Sequence, residues 1–533
     1  MRVRGTRVAL PPAPVVHRRF EELVDDAPDH LAVVCGGQRA TYQDLNAMAN
    51  RFAHFLMSRG TGPGAKVGVC LDYSIDMLVA ILGTLKSGAA YVPLDPSYPA
   101  QRLRAMVEQL TDLASIVVSP STAGLVSAAN AELVDLEALS EFLATQSPAN
   151  PDVSVTGRDL CYAVFTSGST GIPKVAGVRH EGWFNLLNWL SLEYGLHQGS
   201  DNLVVSAFGF DLTQRALLAP LFCGATQHLI PSRHFDTVLA YRTLAEHDIR
   251  TVHCGTSALY LLIDWETARG SGALDRVGHI FFGGEPMSAD RVVPWADREG
   301  NTCRLLHQYG VAECTDVASS YDLADYLAGG GGTDVVPVGK PVHNTDIHIV
   351  DEQLLPVAPG EYGEICISGI SIGVGYLNAG GSGSDRFVTV VRDGVPIRLY
   401  KTGDRGTVTA GGDLVVAGRL DSQVKVRGMR IDPVDVERHL DRLAGVRASA
   451  VVPRRHGSGE VELVAFIVPD GGELVTNDVR SRLVAVLPQN MVPAEFITVP
   501  EIPLNPHGKR DRRVLAERLH GSMRRPVDEA RAG

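Results

Sequence analysis

Short apolar runs that look like buried strands alternate with helical patterns through the first two thirds of the chain. The strand candidates are residues 31–34, 66–71, 115–118, 160–165, 203–207, 251–254 and 279–282. Helical patterns such as residues 42–59 and 76–87 lie between them. This alternation predicts an α/β fold with layers of parallel strands.

The pattern changes after the glycine run at residues 329–332. Residues 364–368 and 405–408 look like antiparallel strands, and the Ala-Gly-Gly-Asp sequence at 410–413 favours a hairpin. Beyond this region we expect a helix at 434–443, a strand at 461–468 and a helix at 479–487. These elements predict a small α+β domain that begins near Asp421.

Composition excludes several classes of protein. Acidic residues outnumber basic ones, 61 against 49, and the net charge of −12 argues against nucleic acid as the main partner. No apolar run approaches the roughly 20 residues that span a bilayer, and the N-terminus lacks the apolar segment of a secretion signal. The eight cysteines include no C-x-x-C pair, which argues against a zinc site or a disulfide framework. We therefore expect a cytoplasmic globular protein with no membrane partner.

A loop of hydroxyls, glycines and one lysine follows the strand candidate at 160–165. Residues 166–174 read Thr-Ser-Gly-Ser-Thr-Gly-Ile-Pro-Lys. Glycines let backbone N–H groups point into one concavity, hydroxyls add donors and lysine adds charge, which together suit a polyphosphate. The Walker pattern is absent, so an ordinary P-loop NTPase is not supported. The alternative is a plain surface loop rich in glycine and serine.

This string resembles the phosphate loop of the adenylate-forming superfamily, which includes acyl-CoA synthetases, luciferases and the adenylation domains of nonribosomal peptide synthetases. Further matching motifs occur in the family's order at residues 41–45, 85–95, 308–313, 400–404, 418–428, 487–493 and 506–511. The motif at 85–95, Leu-Lys-Ser-Gly-Ala-Ala-Tyr-Val-Pro-Leu-Asp, is typical of the peptide-synthetase branch. The resemblance covers nearly the whole chain.

The resemblance implies a core domain at residues 1–420, with two α/β subdomains and a small β-barrel-like subdomain, and a mobile domain at 421–533. It implies that ATP binds with Mg²⁺, for which Glu313 is the expected ligand. Lys509 would bridge the attacking carboxylate and the α-phosphate. The expected nucleotide-binding residues are Thr166, Ser167, Gly168, Ser169, Thr170, Gly171, Lys174, Tyr309, Asp404 and Arg419.

Each of these residues also has a simpler interpretation when it is taken alone. Lys509 lies in a basic stretch that could be a solvated turn, and Asp404 follows Gly403 as a turn residue often does. Glu313 could be a carboxylate at a helix start. Asp421 resembles the family's hinge residue, and its alternative is a turn carboxylate.

The substrate is expected to be an amino acid. Asp211, in Phe-Gly-Phe-Asp-Leu-Thr, resembles the aspartate that pairs with the substrate ammonium, although Asp211 could also be a helix N-cap. By the family's pattern the side-chain pocket is lined by Leu212, Arg215, Cys254, Phe281, Gly283, Gln308 and Asp316. Arg215 could bind an acidic substrate group or pair with Asp211 four residues earlier. The polar set leaves acidic, polar and β-amino acids open.

The expected reaction is formation of an aminoacyl-AMP, followed by transfer to the phosphopantetheine thiol of a separate peptidyl or acyl carrier protein in natural-product biosynthesis. The chain is expected to be a stand-alone enzyme or a domain excised from a larger synthetase, and a need for an MbtH-like helper is left open. The alternatives are an acyl- or aryl-CoA synthetase and a non-catalytic scaffold that recruits carriers. Val175, Ala312 and the glycine-rich segment 375–384 depart from the family's pattern.

Overall fold

The computed structural model describes residues 1–127, 131–166, 173–233, 235–329, 335–378, 384–456, 460–471, 475–504 and 510–522. Contacts divide the chain into two compact units, of which the first ends at Asp421 and the second begins at Ser422. Within the described ranges, no helix combines the length and the apolar character needed to cross a bilayer. All eight cysteines are free thiols.

Strands and helices alternate along the first unit, as their bounds show. The strands are β1 (Arg2–Arg4), β2 (Leu31–Cys35), β3 (Gln38–Thr41), β4 (Lys66–Cys70), β5 (Ala90–Pro93), β6 (Leu113–Val118), β7 (Glu132–Asp135), β8 (Leu160–Thr166), β9 (Lys174–Arg179), β10 (Asn202–Val204), β11 (Gln227–Leu229), β12 (Thr251–Gly255), β13 (His279–Gly283), β14 (Arg304–Tyr309), β15 (Ser319–Asp322), β16 (Lys340–Pro341), β17 (Thr345–Val350), β18 (Gly363–Gly369), β19 (Gly375–Tyr376), β20 (Phe387–Arg392), β21 (Val395–Val408), β22 (Leu414–Arg419), β23 (Val424–Val426), β24 (Met429–Ile431), β25 (Val446–Arg455), β26 (Val461–Pro469) and β27 (Glu495–Thr498). The helices are α1 (Val16–Asp26), α2 (Tyr42–Ser58), α3 (Ile75–Lys86), α4 (Ala100–Val107), α5 (Ala123–Val126), α6 (Ser140–Ala144), α7 (His180–Tyr194), α8 (Asp211–Cys223), α9 (Thr237–Glu246), α10 (Thr256–Arg269), α11 (Ala289–Ala296), α12 (Leu323–Ala328), α13 (Pro433–Asp441), α14 (Thr476–Val484) and α15 (Arg512–Ser522).

Two largely parallel sheets form most of the first unit. One has the order β16-β15-β14-β13-β12-β10-β11-β2-β3, and the other has the order β19-β9-β8-β5-β4-β6-β7. Each central strand is apolar and buried, as a strand covered on both faces must be. The largest apolar cluster contains side chains from both sheets, together with residues of α1, α2, α3, α7 and α8.

A third sheet of the first unit is antiparallel, with the order β1-β17-β18-β21-β20 and β22 paired to β21. The second unit has a β23-β24 hairpin and a β25-β26-β27 sheet. Helices α13 and α14 pack their apolar side chains into one core with β26, and α15 contributes Leu515 to another. The predicted α/β class, with a large N-terminal part and a small α+β part, is confirmed.

The limits of two predicted elements differ from the observed ones. The helix expected at 479–487 is α14, Thr476–Val484, because the buried residues Val479, Leu483 and Leu487 repeat every four positions but the first turn is polar. The strand expected at 203–207 is β10, Asn202–Val204. Periodicity detects the buried face of an element better than its ends.

A buried ion pair joins α1 to α3. The ammonium of Lys86, whose side chain is fully buried, contacts the carboxylate of Glu21 and donates to Asn150 Oδ1 at 3.1 Å. Burial lowers the pKa of Lys86 to about 8, although Glu21 partly restores it. The charge on Lys86 at neutral pH therefore depends on Glu21.

Replacing Glu21 by Gln should lower the free energy of unfolding by about 3–5 kcal/mol at pH 7, because Lys86 is left buried without a counter-charge. The measurement is urea unfolding followed by circular dichroism. Glu22→Gln is the matched control, since Glu22 is the next residue of α1, pairs with Arg19 and is 64% exposed. Its effect should stay below about 1 kcal/mol. Equal losses in the two variants would contradict the role given to the buried pair.

Candidate functional site

Hydrogen bonds from two tyrosines bring all three sheets of the first unit to one place. Tyr309, the last residue of β14, donates to Asp404 Oδ2 on β21 at 2.7 Å. Tyr376, the last residue of β19, donates to Glu313 Oε1 at 2.7 Å. Glu313 lies in a 3₁₀ turn directly after β14. The polar site is therefore assembled from the nine-stranded, seven-stranded and antiparallel sheets.

Asp404 is 3% exposed and accepts hydrogen bonds on both oxygens. Arg419 is its cross-strand neighbour on β22 and donates from Nη1 to Asp404 Oδ1 at 2.6 Å. The same guanidinium binds Asp421 at both oxygens, at 2.6 and 2.7 Å, and Arg386 adds a contact to Asp421 at 2.8 Å. Burial alone would raise the pKa of Asp421, but the two arginines lower it. The charges on Asp404 and Asp421 are thus compensated by shared arginines.

Glu313 is 1% exposed and lies beside two tyrosine hydroxyls. Tyr376 OH is 2.7 Å from Glu313 Oε1 and 3.3 Å from Tyr400 OH. Lys174 Nζ lies 4.9 Å from the centroid of the Tyr376 ring, within the range of a cation–π contact. A buried carboxylate next to hydroxyls is a donor set that fits a hard cation such as Mg²⁺.

The two ends of the predicted phosphate loop are held together by strand pairing. Thr166, at the end of β8, pairs with Lys174, at the start of β9. Thr166 Oγ1 is buried and has no hydrogen-bond partner among the residues that the structure describes. The predicted loop residues Ser167, Gly168, Ser169, Thr170 and Gly171 lie outside the described residues.

Asn378 holds the exit of this loop, although no motif of the sequence assigned it a role. Its Nδ2 donates to the carbonyl of Pro173 at 2.9 Å, and its Oδ1 accepts from the N–H of Val175 at 3.1 Å. Asn378 belongs to the glycine-rich segment at 375–384, so a polar residue between the glycines was the available signal.

The two other departures from the family's pattern are accommodated by packing. Val175 is fully buried in an apolar cluster with Val92 and Ala163. Ala312 is 8% exposed and belongs to the main apolar cluster. Both side chains are therefore part of the packed core.

Three neighbouring strands carry the predicted pocket residues on one face. Gly283 of β13 pairs with Gln308 of β14, and Phe281 of β13 pairs with His253 of β12. Paired residues and alternate residues along a strand share a face of the sheet. His253, Phe281, Gly283 and Gln308 therefore lie on the same face.

The structure places the predicted pocket residue Cys254 on the other face. Cys254 pairs with Phe282, and both belong to a different apolar cluster from Phe281. A shift of one position along a strand moves a side chain through the sheet, so His253 takes the place that was expected for Cys254. Strict alternation along β12 was the signal that could have separated the two.

His253 is 1% exposed and stacks on Phe281 with ring centroids 4.7 Å apart. Neither ring nitrogen has a hydrogen-bond partner in the described part of the chain. Burial lowers the pKa of His253 well below its usual value, and the nearby Arg215 lowers it further. The imidazole is therefore neutral at physiological pH.

Arg215 forms a buried cluster with two residues from other parts of the chain. It is 1% exposed, its Nε donates to Asp316 Oδ2 at 2.6 Å, and its Nη1 donates to Gln308 Oε1. Asp211 and Leu212, half-buried, form the first turn of α8, where Leu212 N–H donates to Asp211 Oδ1 at 2.8 Å. The ion pair of Arg215 is with Asp316, which neither interpretation of Arg215 from the sequence included.

The helix N-cap of α8 is Phe210, so Asp211 is the first helical residue and not the N-cap. Its carboxylate still lies at the end of the helix where negative charge is favourable. Lys509 lies outside the described residues, and its predicted role stays a prediction.

Both units of the chain match families of known proteins. The family described as AMP-binding enzyme matches residues 20–377, and the family described as AMP-binding enzyme C-terminal domain matches residues 435–509. Tyrocidine synthase 3 of Brevibacillus parabrevis is 31% identical over 96% of this chain, and gramicidin S synthase 2 of Brevibacillus brevis is 32% identical over 96%. The chain spans only 8% and 11% of the lengths of these two curated relatives.

Two solved structures have the same fold. One is NpsA-ThdA from Klebsiella oxytoca, an artificially fused adenylation–PCP di-domain, with a TM-score of 0.83, 21% identity and coverage of 92% of this chain and 94% of that one. The other is holo-PA1221, an NRPS protein with adenylation and PCP domains, with a TM-score of 0.81, 25% identity and coverage of 95% and 84%.

A double-mutant cycle should show that Arg215 and Asp316 stabilise the fold as one unit. Either single variant, Arg215→Met or Asp316→Asn, should lower the free energy of unfolding by about 3–5 kcal/mol, and the double variant by much less than the sum. Asparagine suits the left-handed backbone of Asp316, whose φ is +66°. The control cycle on the more exposed Arg291–Asp264 pair should give a coupling below about 1 kcal/mol. Additive losses at Arg215 and Asp316 would count against the pair.

Proposed function

The chain belongs to the family of AMP-binding enzymes, and we propose that it activates an amino acid with ATP and transfers the aminoacyl group to the phosphopantetheine thiol of a carrier protein. The observation that carries the proposal is the buried Asp404 carboxylate, bound by Tyr309 and Arg419 next to Glu313 and Lys174. This is the arrangement that the matched motifs of the sequence predict for a nucleotide.

Asp404 would accept the ribose hydroxyls of ATP. A carboxylate oxygen has two lone pairs, and Tyr309 and Arg419 each use one oxygen of Asp404. Each oxygen can therefore accept one more hydrogen bond. The two existing contacts would fix the orientation of the carboxylate before the sugar arrives, which reduces the entropy lost on binding.

The triphosphate would lie between Lys174 and Glu313. Lys174, Thr166 and the loop residues 167–171 would bind the β- and γ-phosphates with ammonium, hydroxyl and backbone N–H donors. Glu313 would hold Mg²⁺, which supplies positive charge to the phosphate oxygens. Tyr376 would orient the Glu313 carboxylate through its hydrogen bond.

The amino acid would bind with its ammonium at Asp211 and its side chain toward Arg215, Gln308 and Phe281. An oxygen of the substrate carboxylate would attack the α-phosphorus, the bond to the bridging oxygen would break, and pyrophosphate would leave. Lys509 would balance the charge that develops between the two anions. Catalysis of this kind depends on positioning and electrostatics.

The second half-reaction needs different neighbours at the same carbonyl. The carrier thiol would attack the aminoacyl carbonyl, lose its proton and release AMP. Residues 421–533 would move as the mobile domain, with Asp421 as the hinge, because a single site then serves two reactions. The adenylation–PCP architecture of NpsA-ThdA and PA1221 supports a carrier protein as the partner.

Pyrophosphate exchange tests this function directly. A panel of α- and β-amino acids should include at least one that supports ATP–pyrophosphate exchange, and Lys509→Ala should reduce that rate by about 10²–10³-fold because the charge on the α-phosphate is no longer balanced. Lys340→Ala, which removes an exposed lysine of β16, is the control and should keep the full rate. Full activity of Lys509→Ala would remove this lysine from the mechanism. Exchange supported only by acids without an amine would favour the CoA-synthetase alternative.

The assignment of the ammonium site has its own test. Asp211→Asn should raise the KM for the amino acid by about tenfold or more, because a hydrogen bond to a charged partner is lost, and should leave the KM for ATP unchanged. Asp236→Asn is the matched control, since Asp236 also lies at a helix start, as the N-cap of α9. Equal changes in both KM values of Asp211→Asn would exclude a specific contact to the ammonium.

A further inference from the structure

We infer that the side-chain pocket selects an amino acid whose side chain is uncharged and carries a hydrogen-bond acceptor, because Arg215 is already paired with Asp316. This inference rests on the proposed amino acid adenylation. It narrows the acidic and polar substrates that the sequence left open to the neutral polar ones.

The charge of the buried cluster decides against charged side chains. Arg215 and Asp316 are 1% and 7% exposed, and their side chains meet at 2.6 Å. The pair has no net charge. A carboxylate in the substrate side chain would add a second negative charge beside Asp316, and an ammonium would add a second positive charge beside Arg215. Either addition leaves a buried charge without compensation.

The hydrogen-bonding groups of the cluster favour an acceptor in the substrate. Gln308 Oε1 accepts from Arg215, which fixes the amide so that Nε2 is its free donor. Gln308 is 4% exposed, and its Nε2 has no hydrogen-bond partner among the described residues. A buried donor left without a partner is costly, so an acceptor such as an amide oxygen, a carbonyl or a hydroxyl would satisfy it.

The neighbouring strands leave room for such a group beside Gln308. Gly283 pairs with Gln308, and Gly255 pairs with Gly283 on the same face. A Cβ at Gly283 would lie 2.1 Å from the Gln308 carbonyl oxygen, so no side chain can occupy that position. A Cβ at Gly255 would meet only the Gly283 carbonyl oxygen, at 4.0 Å. Two successive glycines therefore keep the face next to the Gln308 amide clear.

The backbone around Asp316 is held in an uncommon conformation. Thr315 and Asp316 have φ values of +60° and +66°, and Thr315 Oγ1 donates to the Ser371 carbonyl at 2.6 Å. A Cβ at Gly310 would lie 1.7 Å from the Asp316 carbonyl oxygen, so the two backbones are in direct contact. Left-handed non-glycine residues are costly and persist where the surroundings require them. We assign Asp316 as a positioning residue that fixes and neutralises Arg215.

A comparison of isosteric ligands tests the inference without any substitution. The probes are 5′-O-(aminoacyl)sulfamoyladenosines, inert mimics of an aminoacyl adenylate, with glutaminyl, glutamyl, asparaginyl, aspartyl and glycyl groups, titrated by calorimetry. In each isosteric pair the amide should bind at least about tenfold more tightly than the carboxylate, because only the carboxylate adds an uncompensated charge. Equal affinities or a preference for the carboxylates would overturn the inference.

The glycyl probe separates failure of the inference from failure of the proposed function. It has no side chain, so it should bind to any site built for an aminoacyl adenylate. Loss of binding for all five probes would contradict the proposed function itself. Binding of the glycyl probe, combined with a preference for the carboxylates, would contradict only the charge argument.

Asp316→Asn should reverse the preference by releasing the charge of Arg215. The amide-to-carboxylate affinity ratio should fall by about tenfold or more, since Arg215 can then pair with the ligand. Asp264→Asn, which removes the carboxylate of the Arg291 ion pair on α10, is the matched control and should leave the ratio unchanged. A structural role alone would alter stability but not this ratio, so an unchanged ratio in folded Asp316→Asn would overturn the assignment.

Discussion

Buried charge in this chain is stable only where a counter-charge from another element meets it, and the organisation of the first unit depends on that constraint. Lys86 of α3 meets Glu21 of α1, Arg215 of α8 meets Asp316 of the loop after β14, and Arg419 of β22 meets Asp404 of β21. The partners in the first two pairs are 65 and 101 residues apart. Each pair therefore specifies which distant elements must be neighbours, which apolar packing alone does less selectively.

The site lies where the apolar cores give way to polar contacts between sheets. Within each sheet the backbone hydrogen bonds are satisfied by neighbouring strands, but the ends of β14, β19 and β21 must be joined by side chains. Tyr309 and Tyr376 make these connections through their hydroxyls, while their rings pack against apolar residues. The same hydroxyls orient Asp404 and Glu313, so the contacts that join the sheets also set the geometry of the site.

Much of the fold was accessible from the sequence because strands buried on both faces are apolar throughout. The predicted strands 66–71, 160–165 and 279–282 correspond to β4, β8 and β13. The partner of Arg215 was not accessible, since Asp316 is 101 residues away and no local pattern joins them. The choice between His253 and Cys254 depends on which face of β12 each residue occupies, and a run of buried residues carries little information about faces. Asn378 acts through backbone groups of Pro173 and Val175, which sequence motifs do not record.

One guanidinium serves both Asp404 and Asp421, so these two carboxylates are not independent. Arg419 uses Nη1 for Asp404 and the Nε and Nη2 pair for Asp421. Because the guanidinium is planar and rigid, a rotation that improves its contact with one carboxylate weakens its contact with the other. Asp421 is also the last residue of the first compact unit. A ribose that competes for Asp404 would therefore act on the boundary residue through a single side chain, and the proposed domain movement and nucleotide binding would draw on the same contact.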